Sequence, residues 1–321
     1  MTLRLFALLA AALLAAPLAA QVYPSQAVKL VNPYAAGGPV DLVAREVAKG
    51  LTDVLGQPVV IENKPGGGAT IGAEFVARAK PDGYTLLASG SPSLIITPAI
   101  QAKPAYDGLR DFTPVCTFAT VPYMIVANPA LPVASVRELI EYARSRPGKL
   151  TFGTPGSGSI GHLAGELFNR MAGVSLVHVP YKGGAPAVTD TLGGQIDLAI
   201  VNSSAVLPQV RAGKLRALGI ATARRSEAAP DIPTVEESGL PGWRAETWYG
   251  LFGPANLPGS IVNVLYQATA KAMASPALKA RLQQTQGADV TMQGPGELAA
   301  RLREEQAQLV PVIKSLGLKM D

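Results

Sequence analysis

The chain has 321 residues, which is long for a single hydrophobic core and suits two domains of ordinary size. Its hydrophobic fraction of 48% excludes a disordered chain, and the scattered 33 glycines and 27 prolines indicate many short turns rather than a collagen-like repeat. The formal net charge of +5 comes from dispersed lysines and arginines without interleaved aromatic residues, which argues against a nucleic-acid-binding surface.

The first 20 residues have the pattern of a secretory signal peptide. Arg4 is followed by an apolar run from Leu5 to Leu18 and by small residues before Gln21. This run is short for a membrane span, and no later stretch reaches the ~18 apolar residues that a transmembrane helix needs. We therefore expect cleavage after Ala20 and an exported mature protein.

The stretch 30–56 predicts a strand, a short loop and a helix. Leu30 and Val31 precede the loop 33–38, and Pro39 opens a helix whose apolar positions recur with helical spacing. The unpaired N–H groups at such a helix start, together with the helix dipole, form a site for an anion. Taken alone, the same residues fit an ordinary strand-to-helix turn equally well.

The rest of the chain alternates between strand and helix patterns, which is typical of an α/β protein with parallel strands. Further strands are expected at 58–61, 84–88, 112–126, 150–152, 176–179, 196–201, 215–221 and 248–253. Helices are expected at 70–80, 136–145, 160–171, 186–193, 234–239, 260–274 and 296–316. Pro114 and Pro122 are expected to interrupt the strand at 112–126, and the first crossing between two domains is placed near Pro122.

The pattern P-Y-x-x-G-x-P occurs twice, at 33–39 and at 180–186, each time between a predicted strand and a predicted helix. Matched loops on two domains are what a cleft needs in order to grip one ligand from both sides. Asp41 and Asp190 follow these loops in the first part of each helix, where the helix dipole stabilises an anion. Each aspartate either braces its loop or receives an amine of the ligand.

Two further loops, 89–93 and 153–159, are small and rich in hydroxyl groups, and both follow predicted strands. In open α/β sheets, ligands bind beyond the carboxyl ends of the strands. The residues 156–161 match G-x-G-x-x-G, but no acidic residue lies between Gly173 and Lys182 to bind a ribose. We therefore expect no dinucleotide site.

The histidines and the cysteine predict neither a metal site nor a catalytic centre. His162 and His178 are the only histidines and have no cysteine nearby, so no metal is expected. His162 either faces a ligand or is structural, whereas His178 and Cys116 are expected in the core. No acid–base pair stands out, so the chain is expected not to be an enzyme. The alternative is a secreted hydrolase that uses His162 with Ser157 or Ser159.

Five runs of residues carry a family resemblance: PYAAGGPVD at 33–41, ENKPGGG at 62–68, PDGYTL at 81–86, HLAGEL at 162–167 and HVPYKGGAPA at 178–187. With these runs the chain resembles the Bug family of periplasmic solute-binding proteins, the receptors of tripartite tricarboxylate transporters, over essentially the whole mature chain. The resemblance implies an α/β, two-lobed periplasmic-binding-protein fold (Venus flytrap, type II). Each lobe is expected to be a mostly parallel sheet flanked by helices.

The resemblance also implies a domain organisation and a function. The signal peptide covers 1–20, one lobe covers 21–122 plus 246–321, and the other covers 123–245. A periplasmic monomer without cofactor or metal is expected to capture a small carboxylate for the membrane subunits of the transporter. A ligand-sensing subunit of a signalling receptor is the alternative. The expected ligand-binding residues are Tyr34, Ala36, Gly37, Gly38, Asp41, Ser91, Ser157, Ser159, His162, Tyr181, Gly184, Ala185, Ala187, Asp190 and Asn202.

Overall fold

The computed structural model describes residues 23–37, 39–181 and 183–319. The predicted signal peptide and Gly38 therefore lie outside the described residues. Strands within them are β1 (Val28–Asn32), β2 (Val59–Asn63), β3 (Thr85–Ser89), β4 (Phe112–Ala127), β5 (Thr151–Thr154), β6 (Val177–Pro180), β7 (Leu198–Asn202), β8 (Arg216–Ile220) and β9 (Glu246–Pro254). Helices are α1 (Pro39–Leu55), α2 (Thr70–Ala77), α3 (Thr97–Ile100), α4 (Val136–Arg144), α5 (Ile160–Ala172), α6 (Gly184–Leu192), α7 (Ser203–Arg211), α8 (Gly259–Met273), α9 (Pro276–Gln286) and α10 (Pro295–Ser315).

The first sheet has the strand order β2-β1-β3-β9-β4. β1 pairs in parallel with β2 and β3, whereas β9 runs antiparallel to β3 and to β4. The apolar face of α1 covers one side of this sheet, because Val43, Val47 and Leu51 recur with helical spacing and are buried. On the other side, Leu298 and Leu302 of α10 pack with Val31 of β1.

The long strand β4 is shared between two sheets. Its residues 112–122 pair with β9, and its residues 123–127 pair with β7 and β8. The expectation that Pro114 and Pro122 interrupt the strand is wrong. The register against β9 shifts just after Pro114, where the ladder is irregular and a missing N–H is tolerated, and Pro122 is the last residue paired with β9.

The second sheet contains the end of β4 and the strands β5 to β8. β5 pairs in parallel with β6 and with β7, whereas β7 and β8 run antiparallel to β4. Each sheet thus combines parallel outer strands with antiparallel strands next to the shared strand. Cys116 lies in the buried part of β4, as expected for a core residue.

The carboxyl ends of the parallel strands in both sheets point to one region, which we call the junction and define by Pro122 and Tyr123. β1 and β3 run in the same direction as β4, so their carboxyl ends lie on the Pro122 side. Asn202, the last residue of β7, lies opposite Tyr123, and β5 and β6 run parallel to β7. The predicted loops from the two halves of the chain therefore face the same junction.

Two expectations about helices are wrong. No helix forms at 234–239, where the chain makes only a turn: the Val235 N–H bonds to the carbonyl of Ile220 at the end of β8, and the Ser238 N–H bonds to the Thr234 carbonyl. The helix α9 was not expected at all, since its second half, RLQQTQ, has little apolar periodicity. It is held by Leu278 and Leu282, which are buried against the first-sheet core, and by the N-cap Ser275.

Candidate ligand-binding site

The loop between β1 and α1 is braced from inside by Asp41, whose residue is 2% exposed. Its Oδ2 accepts hydrogen bonds from the Gly37 N–H and the Arg45 Nε, both at 2.9 Å, and its Oδ1 accepts one from the Asn63 Nδ2 at 2.8 Å. Burial raises the pKa of Asp41, but these hydrogen bonds outweigh it and lower the pKa to about 2. Since both carboxylate oxygens are engaged, the geometry favours a brace over a receptor for a ligand amine.

The tip of this loop presents backbone to open space. Ala36 and Gly37 are exposed, and no atom lies within 4 Å of the position that a Cβ on Gly37 would take. Gly37 has a φ of +79°, which favours glycine. Tyr34, by contrast, turns its hydroxyl inward to Ser89 and Ser93, and burial raises the pKa of its phenol.

The matched loop between β6 and α6 is braced in a different way. The Tyr181 hydroxyl donates to the Asp190 Oδ2 at 2.7 Å, and burial with this bond raises the pKa of Tyr181 to about 12. Gly184 is the first residue of α6, and the atom nearest to its Cβ position is 3.8 Å away. Ala185 is exposed, but Ala187 packs into the core, so only its backbone can reach a ligand.

The loop between β5 and α5 leaves one hydroxyl exposed. Ser159 is the N-cap of α5, where its Oγ accepts from the His162 N–H at 3.2 Å and donates to the Gly156 carbonyl at 2.7 Å. Ser157 is exposed and makes no hydrogen bond with the residues that the structure describes. Ser157 is therefore the hydroxyl of this loop that remains available to a ligand.

His162 lies beneath this loop and is 7% exposed. Its Nδ1 accepts from the Gly158 N–H at 3.1 Å, and its ring stacks on His178 with centroids 3.9 Å apart. The His178 Nε2 lies 2.7 Å from the Thr154 Oγ1. Burial lowers the pKa of both imidazoles, and the neighbouring His162 helps to lower that of His178 to about 4. The stacked pair supports the loop, and contact between His162 and a ligand stays a prediction.

Ser91 and Asn202 lie on opposite sides of the junction. Ser91 is buried, and its hydroxyl bonds to the Glu305 carboxylate of α10 rather than facing open space. Asn202 is half-buried at the end of β7, and its side chain forms no hydrogen bond within the described part of the chain. The two predicted residues therefore differ, since Ser91 is already engaged and Asn202 is free to bind.

Known proteins that are similar to this chain establish its family. The family model described as "Tripartite tricarboxylate transporter family receptor" matches residues 43–318. Protein BugT of Bordetella pertussis is 36% identical over 97% of this chain and 96% of its own length. The chain belongs to this receptor family.

Two solved structures of similar proteins carry ligands. R. palustris Rpa4515 with adipate is 35% identical to this receptor, with a TM-score of 0.73 over 92% of this chain and 99% of that one. MatC from Rhodopseudomonas palustris with bound malate is 34% identical, with a TM-score of 0.70 over 91% and 100% of the chains. The predicted α/β, two-lobed periplasmic-binding-protein fold and the predicted family are confirmed.

The structure of this receptor also brings together residues that sequence reasoning missed. Arg301 of α10 forms ion pairs with Glu246, where β9 begins, and with Glu305 at 2.9 Å. Trp248 donates to the same Glu305 at 2.7 Å. No motif signals the contacts of Arg301 with Glu246 and of Trp248 with Glu305, because these partners lie more than 50 positions apart in the chain. Asn32, the last residue of β1, was also missed, because nothing near it in the chain signals that its Nδ2 is buried without a partner among the described residues.

The described residues 23–37, 39–181 and 183–319 contain neither a group of metal ligands nor a helix that could cross a membrane. No group of three or more histidine, cysteine, aspartate or glutamate residues there is arranged to hold a metal ion. None of the helices in these ranges is long and apolar enough to cross a membrane.

Proposed function

We propose that this receptor captures a small carboxylate at the junction and delivers it to the membrane subunits of a tripartite tricarboxylate transporter. The observation that carries the proposal is the pair of matched loops, each braced by its own aspartate, which open helices on the two sheets that meet there. The adipate and malate bound by Rpa4515 and MatC support a small acid as the ligand.

Among the described residues, the proposed site holds an anion with neutral donors rather than with an unpaired cation, and Lys182 of the second matched loop lies outside them. Arg45 is paired with Asp41, and Arg301 is paired with Glu246 and Glu305. The starts of α1 and α6 supply N–H groups and helix dipoles, and Ser157 and Asn202 supply side-chain donors. Contacts from both lobes form together only when the lobes close, so the ligand shifts the receptor towards its closed state.

We further propose the boundaries that the sequence predicts, with one lobe at 21–122 plus 246–321 and the other at 123–245. β4 changes partner between Pro122 and Tyr123, and β9 begins at Glu246, which supports these boundaries. A signal peptide at 1–20 and a periplasmic, monomeric mature protein complete the proposal. Mass spectrometry of the exported protein tests the cleavage site, and light scattering tests the monomer.

The function is tested by calorimetry of the mature protein with a panel of small carboxylates that includes adipate and malate. Ala185→Phe places a bulky ring at the exposed start of α6, so it is expected to abolish binding while the melting temperature changes little. Ala212→Phe, at the far end of α7, is the matched control and is expected to bind like the wild type. Unchanged affinity in Ala185→Phe would contradict the site, and no heat with any acid of the panel would contradict the function.

No observation favours the hydrolase alternative. The Ser159 Oγ donates to the Gly156 carbonyl, and the His162 Nδ1 accepts from the Gly158 N–H, so these side chains are not paired as nucleophile and base. We propose that the receptor binds its ligand without converting it. Recovery of the bound acid unchanged after prolonged incubation is the expected result, and turnover that His162→Ala removes would overturn it.

A further inference from the structure

Asn32 at the end of β1 holds a buried donor that has no partner. The residue is 0% exposed, and its Oδ1 accepts a hydrogen bond from the Tyr34 N–H at 3.2 Å. This bond sets the orientation of the amide, because the flipped amide would place its NH2 group against the same N–H. The Nδ2 is therefore on the other side of the amide, where no hydrogen-bond partner lies within the described residues.

An unpaired buried donor is costly for a folded protein. Such a group loses its hydrogen bonds to water and gains none in return, so it destabilises the native state. Buried polar atoms without a partner are uncommon, and one explanation is a ligand or ordered water that completes the bond. The position of Asn32 decides where that partner can be.

Asn32 lies on the face of β1 that leads into the junction. Side chains alternate along a strand, so Asn32 shares a face with Leu30, which packs in one cluster with Val43 of α1 and Tyr249 of β9. Asn32 is two positions closer to the junction than Leu30 and directly precedes the loop that Asp41 braces.

The buried phenol of Tyr249 lies in this cluster as well. Burial raises the pKa of Tyr249, and the phenols of Tyr123 and Tyr34 lie close enough to raise it further. Tyr123 begins the part of β4 that belongs to the second sheet, so this group of side chains reaches across the junction.

We propose that the Asn32 Nδ2 donates a hydrogen bond to an oxygen of the bound carboxylate and that Asn32 is a specificity-determining residue. A neutral NH2 group accepts nothing, so it selects an acceptor oxygen at the end of the ligand that faces the first sheet. Ligands with a second carboxylate or a carbonyl oxygen at that end satisfy the amide. Ligands that present an ammonium or an alkyl group there leave it unpaired. This inference rests on the proposed function and deepens it.

The experiment measures calorimetric affinity for the dicarboxylate of the panel that binds the wild type most tightly. Asn32→Asp keeps the acceptor for the Tyr34 N–H and replaces only the donor, so we expect at least a hundredfold loss of affinity. Asn32→Leu, which is similar in shape, is expected to lose at least tenfold, while its melting temperature without ligand changes little because removal of the unpaired Nδ2 offsets the loss of the acceptor for the Tyr34 N–H. This combination separates a ligand-directed donor from a structural one.

Asn128 provides the matched control. It follows β4 directly at the end away from the junction, and its Nδ2 already donates to the Thr191 carbonyl at 2.8 Å. Asn128→Leu is therefore expected to lower the melting temperature and to leave the affinity unchanged. Asn128→Leu should thus change stability and not affinity, the reverse of Asn32→Leu, because the Asn128 amide already has its hydrogen-bond partner within the protein.

A measurement on the wild type keeps the inference testable if a variant does not fold. The side-chain NH2 resonances of Asn32 in asparagine-labelled protein are expected to shift when the dicarboxylate is added. Unchanged resonances at saturation, or wild-type affinity in either Asn32 variant, would overturn the inference and leave the proposed function standing. If no carboxylate of the panel binds the wild type, the proposed function and the inference fall together.

Discussion

Asp41 and Asp190 follow the two matched loops but hold them through different groups. The Asp41 carboxylate accepts a hydrogen bond from the backbone N–H of Gly37, whereas the Asp190 carboxylate accepts one from the hydroxyl of Tyr181. The first loop is therefore tied to its helix by main chain and the second by a side chain. Of the two, only Asp41 is almost completely buried, so its charge matters more for stability.

Replacing Asp41 tests how much its ionised carboxylate contributes to the stability of the fold. The pKa of Asp41 is lowered from 3.8 to about 2, so its ionised form stabilises the fold fully above its unfolded pKa, and this stability is lost as the pH falls through about 2. A shift of this size corresponds to roughly 2 kcal/mol. Asp41→Asn is expected to lower the free energy of unfolding by about that amount at pH 7, and the difference from the wild type shrinks between pH 4 and pH 2.

Urea denaturation at a series of pH values measures this effect. Asp53→Asn, at an exposed position on the same helix α1, is the control and should follow the wild type across the series. A deficit of Asp41→Asn that does not change between pH 4 and pH 2 would show that the carboxylate charge is not responsible.

The helix α10 links the two halves of the molecule. Its early residues Leu298 and Leu302 are buried in the first-sheet core. Its later residue Ile313 is 0% exposed and packs with Leu163 of α5 and with Ile96, which directly precedes α3. This apolar contact joins an element of the first-sheet side to the helix that follows β5.

The contact at Ile313 is expected to act on ligand affinity through closure. If the lobes move apart, α10 and α5 separate, so the contact stabilises the closed state. Removing three carbons from a buried isoleucine costs roughly 2–5 kcal/mol. Each 1.4 kcal/mol of destabilisation that affects only the closed state weakens binding about tenfold. Ile313→Ala is therefore expected to weaken calorimetric affinity at least tenfold without touching the ligand.

Leu278→Ala is the control for this prediction. Leu278 of α9 is buried within the first-sheet core, so its truncation should lower the melting temperature and leave affinity unchanged. Equal affinities in Ile313→Ala and the wild type would mean that the contact between α10 and α5 persists in both open and closed states.

At the scale of the whole molecule, the strands β4 and β9 carry the chain across the junction, and a charged network lies beside them. Arg301 has a side chain only 15% exposed and pairs with Glu246 and Glu305, whose side chains are each 21% exposed. Arg301 also lies over the ring of Trp248 at 5.2 Å from its centroid. The start of β9 is thereby anchored to α10.

Removing the cation of this network leaves two largely buried carboxylates without their partner. Arg301→Met is expected to lower the free energy of unfolding by about 3–5 kcal/mol, because uncompensated buried charge is costly. Adding Glu246→Gln to Arg301→Met should recover part of the loss. Urea unfolding of the wild type and the two variants measures both effects, and a double variant no more stable than Arg301→Met would contradict the role of charge.

Much of the fold could be predicted because strand and helix patterns are local. The helix α4 begins where Ser135 and Glu138 predict it, since the Ser135 Oγ accepts the Glu138 N–H at 3.2 Å. The elements that the sequence patterns did not predict correctly have physical causes as well. The segment at 234–239 was assigned as a helix although its first residues pair with β8, and the polar α9 is helical because the core beneath it accepts Leu282.

The candidate site could be predicted only as far as its loops. Glycine, proline and hydroxyl residues after strands mark Gly37, Ser157 and Gly184 as residues near a ligand, and in the structure Gly37 and Ser157 are exposed whereas Gly184 is half-buried. Whether a polar side chain already has a hydrogen-bond partner could not be predicted. Ser91 bonds to Glu305, whereas Asn32 keeps an unpaired Nδ2, and nothing near either residue in the chain signals this.

The sequence by itself determined the alternation of strand and helix, the two matched loops and the family, because these depend on neighbouring residues and on short motifs. Only the tertiary structure decided that β4 belongs to both sheets, that His162 stacks on His178 and that Arg301 reaches Glu246. Such contacts join residues far apart in the chain, and they form only when burial of the two cores brings those residues together.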